Sequence, residues 1–130
     1  MTIETYLRDL GTYLQNNSFG TMGTDIHCIG FDESASNDIN LNPFQGSEFE
    51  GIVSGELNPY TPNLSVLVRN TDSEAALSKA TGIYKLLRTV ENQTIGTTNF
   101  VYIRAESTPG FVSKKNNNYI FSVNFSLMLE

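Results

Sequence analysis

The closing run Tyr119-Ile-Phe-Ser-Val-Asn-Phe-Ser-Leu-Met-Leu-Glu130 alternates apolar and polar residues over most of its length, and it constrains the fold more than any other stretch. Side chains on a strand point alternately to opposite faces. Tyr119, Phe121, Val123, Phe125, Leu127 and Leu129 therefore share one face, and Ser122, Asn124 and Ser126 the other. A strand this apolar along one side needs a partner strand and a cover, because an open row of rings is an aggregation template.

The preceding sequence offers both. Ile3, Tyr6, Leu7, Leu10 and Leu14 recur at three- and four-residue steps, which predicts an amphipathic helix over 3–15 with Thr2 as its N-cap. The polar run Asn16-Asn-Ser-Phe-Gly20 ends it. Thr24–Phe31 reads as a short strand with mixed faces. From Asp32 to Asn63 the chain is rich in Ser, Asn, Asp, Gly and Pro, which predicts loops on either side of one short strand around Phe49–Leu57. Leu64–Arg69 is a strand, and Thr71 and Glu74 stand at capping-box spacing before a helix over 73–90. That helix carries Ala76, Ala80, Ile83, Leu87 and Val90 along one stripe, widened by Leu77 and Tyr84, and Gly82 within it marks a close packing point. Glu91–Thr98 reads as a polar connection, Phe100–Ala105 as a strand interrupted by Glu106-Ser-Thr-Pro-Gly110, and Phe111-Val112 as a resumption of pairing. Lys114-Lys-Asn-Asn-Asn118 then turns the chain into the closing strand. The order predicts an α+β layer: a mixed, mainly antiparallel sheet with an N-terminal helix and a second helix packed on one face.

At 130 residues the chain fits one domain. The single Cys28 cannot form an intramolecular disulfide, which suits synthesis in a reducing cytoplasm. The first 30 residues lack a basic-then-apolar leader, and no window approaches the roughly 18 apolar residues of a membrane span, so neither export by signal peptide nor membrane insertion is expected. The formal charge of −6 is divided: residues 1–68 hold nine acids and one base, −8, and residues 69–130 hold five acids and seven bases, +2. An acidic balance disfavours tight, sequence-independent binding of nucleic acid. The division either reflects solvated loops or lets the acidic part of one copy meet the basic part of an identical neighbour.

No catalytic constellation emerges. Asp25 and His27 are two ligands where a zinc site needs at least three, and one His leaves no second partner for a nucleophile. Gly20-Thr-Met-Gly23 lacks the Lys and the strand-to-helix setting of a phosphate loop and reads as a turn. The basic pair Lys114-Lys115 is either a solvated turn or a contact for an acidic neighbour. The aromatics of the closing run read as core rather than as a stacking platform for bases.

The run Pro62-Asn-Leu-Ser-Val-Leu-Val-Arg69, the helix opening Ser73-Glu-Ala-Ala-Leu77, the segment Phe100-Val-Tyr-Ile-Arg-Ala-Glu-Ser-Thr-Pro109 and the closing Tyr119-Ile-Phe-Ser-Val-Asn-Phe125 resemble the tail terminator proteins of long-tailed bacteriophages. The resemblance covers about residues 60–130. It implies a non-enzymatic subunit of the virion neck, made in the host cytoplasm. Such a subunit forms a homohexameric ring that stops the tail tube and joins it to the head connector. The implied partners are further copies of the chain, the tail tube protein, the head-completion or connector protein, and genomic DNA passing through the lumen without specific binding. No cofactor, metal or membrane is implied. Candidate assembly contacts are Lys114, Lys115 and Asn116 at the hairpin tip, with Glu48, Glu50 and Glu56 from the acidic half. The alternatives are a head-completion or tail-tube subunit, or a stand-alone ligand-binding or hydrolytic α+β domain.

Overall fold

The computed structural model describes residues 3–29, 37–44, 61–115 and 117–130, with only the backbone for Ile3, Glu4 and Phe44. In chain order the elements are α1 (Ile3–Asn16), β1 (Ile26–Cys28), β2 (Asp38–Phe44), β3 (Asn63–Asn70), α2 (Ser73–Leu87), β4 (Glu91–Ile95), β5 (Thr98–Ala105), β6 (Gly110–Lys115) and β7 (Asn118–Leu129).

β7 is the spine of the sheet, as its alternation requires. Phe121, Val123, Phe125, Leu127 and Leu129 are buried, and Tyr119 packs partly buried against the same cluster. One edge of β7 takes β3 across Tyr119–Ser126. The other takes β6 across Asn118–Ser122 and β5 across Phe125–Leu129, with Glu106 N donating to the Asn124 carbonyl (2.8 Å) between them. β5 and β6 are thus one interrupted strand, with Ser107–Pro109 looped out. Among the described residues the order is β1-β2-β3-β7-β5-β4, with β6 beside β7, and of these strand pairs β1–β2 is parallel and the others antiparallel.

Both helices lie on the apolar face. Tyr6, Leu7, Leu10 and Leu14 of α1 are fully buried against β1 and β2, and Ala76, Ala80, Ile83 and Leu87 of α2 against β3 and β7. Leu77 falls outside the buried stripe at 43% exposure, because it sits a quarter turn round the helix from Ala76. Gly82 is the close approach its position suggested: a Cβ there would stand 2.9 Å from the Phe19 ring.

Several local expectations are corrected. β2 occupies Asp38–Phe44, inside the stretch read as loop. Ile39 and Leu41 are buried there, as are the polar Asp38 and Asn40, and the Asn-, Asp- and Pro-rich composition hides a strand that pairs along its length with β3. The Asp38 carboxylate, with no exposed surface, accepts from Arg69 Nε and Nη2, both at 2.8 Å, directly across the ladder. The strand expected at Phe49–Leu57 and the Thr2 cap lie outside the described residues. β1 is confined to Ile26–Cys28. The cap of α2 is Asp72, whose Oδ1 accepts from Glu74 N (3.1 Å), while Thr71 N donates to Asn37 Oδ1; the helix stops at Leu87, although Val90 beyond it is still buried.

The polar connection expected at Glu91–Thr98 is instead a β-hairpin. Its first strand lies at the edge of the sheet with most side chains exposed, so it lacks an apolar signature. Gly96 at φ 62° makes the two-residue turn with Thr97. Asp9 of α1 secures that turn, its Oδ2 accepting from Thr97 N (3.2 Å), Thr97 Oγ1 (3.2 Å) and the buried Thr98 Oγ1 (2.5 Å). The turn expected at Gly20–Gly23 is present. Gly20–Gly23 belongs to a turn in which Thr24 N and Ile26 N both donate to the Thr21 carbonyl at 3.1 Å.

Candidate assembly surface

The β6–β7 hairpin extends the apolar face of the sheet beyond its helical cover. Phe111 pairs with Phe121 across the ladder, so its ring stands on the core side, yet it is 59% exposed. Its neighbour Val112, the extra residue where the register shifts between Phe111 and Ser113, is 53% exposed. The Phe111 ring is edge-on to Phe121 at 5.7 Å and tilted to Tyr119 at 6.5 Å. Lys114 holds its ammonium 4.9 Å over the Tyr119 ring, and Lys115 is exposed beside it. Asn117 at φ 62° returns the chain to β7. Asn116, Glu48, Glu50 and Glu56 lie outside the described residues, so of the sequence candidates the structure places Lys114 and Lys115 alone.

At the same level of the sheet, but on its other side, lies Ile26, the first residue of β1. The ladder partners run Phe111–Phe121–Val68–Ile39–Ile26 straight across β6, β7, β3, β2 and β1. Among the described residues no strand pairs with the outer edge of β6, and only the isolated Met22–Ile26 bridge lies beyond β1. Ile29, just past β1, holds φ 65° and is 59% exposed. Phe111, Val112 and Ile29 are the most exposed large apolar side chains among the described residues. Sequence reading missed all three as surface features. The adjacent pair Phe111-Val112 breaks strand alternation and could have signalled an exposed edge; Ile29 gave no such sign.

A polar cavity of about 340 Å³ opens where α2 hands over to β4, walled by Arg88, Glu91, Tyr102 and Arg104. Each arginine rests on a tyrosine, Arg104 4.1 Å over the Tyr102 ring and Arg88 4.9 Å from the Tyr84 centroid. Neither brings a nucleophile and a base together. His27 Nε2 lies 3.2 Å from the Thr24 carbonyl oxygen, and among the described residues no three His, Cys, Asp or Glu side chains gather as a metal centre needs. Cys28 is a free, half-buried thiol; burial pushes its pKa up, with the Arg8 charge opposing. Among the described residues no helix is long and apolar enough to cross a membrane.

Comparison with known proteins points to one class. Residues 13–130 match the model of a family described as bacteriophage tail terminator protein. Among solved structures, a chain from the virion of a native gene transfer agent particle superposes with TM-score 0.62 at 11% identity, over 94% of this chain and 93% of that one. A second solved chain gives TM-score 0.59 at 10% identity, over 96% and 90%. At such identities the likeness is one of fold. None of the curated protein sequences matches the chain.

Proposed function

Because the chain belongs to the bacteriophage tail terminator family, we propose that it is a structural subunit whose copies close into a ring, a hexamer, that caps the tail tube and joins it to the head connector. The match over residues 13–130 carries this reading. The outer edge of β6, unpaired among the described residues and with Phe111 and Val112 exposed, supports it, since a head-to-tail contact between unlike surfaces closes into a ring when the rotation per subunit allows. Lys114, Lys115 and Asn116 at the hairpin tip meet the acidic half of the neighbour, for which Glu48, Glu50 and Glu56 are the sequence candidates. The net charge of −6 suits a lumen that repels the phosphate backbone, so that genomic DNA slides through unheld. The partners are the tube subunit below and the connector above, the place is the virion neck, and no step of the role is catalytic.

Phage particles made without this gene product test the reading. By electron microscopy they are expected to show tails of uncontrolled length beside heads that carry none. Tails of normal, uniform length joined to heads would contradict it.

A further inference from the structure

The polar cavity at the α2–β4 junction brings together two arginines from different elements. Arg88 caps the end of α2, and Arg104 stands on β5. The Val90 carbonyl accepts from Ile103 N (3.1 Å) and Glu91 is the ladder partner of Tyr102, so the chain leaving α2 is pinned beside β5 and both arginines line one cavity of about 340 Å³. Among the described residues no carboxylate lies within ion-pair reach of either guanidinium, whereas Arg69 is bound by Asp38. Each is held by a ring instead. Arg104 lies 4.1 Å over Tyr102, and Arg88 lies 4.9 Å from the Tyr84 centroid and donates from Nη1 to its hydroxyl (3.2 Å). Stacking fixes the plane of a guanidinium while leaving its N–H edge to donate, so less freedom is lost when an oxyanion arrives.

We propose that this cavity is a docking site for an acidic segment of a partner protein, whose Asp or Glu carboxylates take the free N–H groups of Arg88 and Arg104. Charge complementarity selects that occupant. A carboxylate matches the fork of a guanidinium in a bidentate pair, and Arg and Tyr gathered at one accessible place are the residue types that dominate protein–protein contacts. A nucleic-acid duplex fits poorly. Its phosphates form a continuous track that calls for many cations, whereas here Glu91 stands in the same wall as the two arginines and the chain carries −6 overall. A discrete carboxylate reaches the arginines without crossing Glu91, which is left to accept a backbone N–H of the same segment. The proposal rests on the reading of the chain as a virion subunit and gives the chemistry of one partner surface.

The full-length protein, labelled with nitrogen-15, is titrated with a capped tetraglutamate peptide while NMR follows the Nε–H resonances of Arg88 and Arg104 and the amides of Glu91 and Asn92. These signals are expected to move together and saturate, and the matching tetraglutamine peptide should bind at least tenfold more weakly. Arg88→Gln with Arg104→Gln should weaken tetraglutamate binding at least tenfold with an unchanged circular dichroism spectrum, since both side chains are exposed. Lys79→Gln with Lys85→Gln removes the same charge from residues that do not line the cavity and should leave binding as it was. No saturable shift, equal binding of tetraglutamine, or an equal loss in the lysine variant overturns the proposal. Inorganic phosphate that saturates the same signals at equal or lower concentration marks an adventitious ion only, and tighter binding of a DNA duplex marks a phosphate-backbone contact; each also overturns it. The titration uses the protein alone and tail length is measured in particles lacking it, so the docking site can fail while the terminator reading stands, and the reverse.

Discussion

At the scale of single residues, the strongest determinants are polar groups that sequence patterning passes over. Asp9 is one of two acids on an amphipathic helix, yet its carboxylate gathers Thr97 and Thr98 and so ties α1 to the β4–β5 turn 88 residues away. Gly96 is part of the same device, since a Cβ there would collide with the Asp9 carboxylate and the backbone stands at φ 62°. Asp9→Ala leaves the buried Thr98 hydroxyl without its acceptor, a loss of about 1–3 kcal/mol of stability. Urea unfolding followed by circular dichroism should show the midpoint fall with the slope unchanged. An unaltered midpoint would remove the clamp from the account. The Asp38–Arg69 pair is equally hidden from sequence reading: the two residues lie 31 positions apart, and nothing local to either announces the bidentate contact.

At the scale of elements, what could be read in advance was whatever hydrophobic burial writes into periodicity. The closing strand, the β3 strand and both helices carry strict two- or three-and-four-residue patterns because each buries one face. β2 and β4 were misread for the complementary reason. β4 is an edge strand with most side chains exposed, and the short alternation of Ile39 and Leu41 in β2 is set among Asn, Asp and Pro residues that read as turn formers. The candidate surface was half legible: the Lys114-Lys115 pair stood out, whereas the exposure of Phe111 and Val112 depends on where the helical cover stops. The covered face has a direct test in Phe125→Asp. Phe125 has no exposed surface and sits where β3, β5 and β7 meet, so a carboxylate there loses a ring worth about 3–5 kcal/mol and buries a charge without a partner. The variant should be insoluble or lack the far-ultraviolet spectrum of the parent. Soluble protein with a native spectrum would mean the two faces of β7 are assigned wrongly.

At the scale of the whole molecule, the described residues form a sheet sealed on one face by two helices, with β1, β4 and β6 as its outer strands. Family membership gives the setting, a bacteriophage tail. Exposed large apolar residues stand at separate places, Ile29 just past β1 and Phe111 with Val112 on β6 beside Lys114. The proposed ring would suit a tube subunit as well as a terminator, and what separates the two readings is where the subunit sits and how many copies the particle holds. The most direct test is therefore the position of this subunit in the mature particle, imaged by electron microscopy with an electron-dense tag on its carboxy terminus. One cluster of label per particle, at the head-proximal end of the tail, is the predicted result. Label repeated along the tube, or spread over the head shell, would contradict the assignment as terminator.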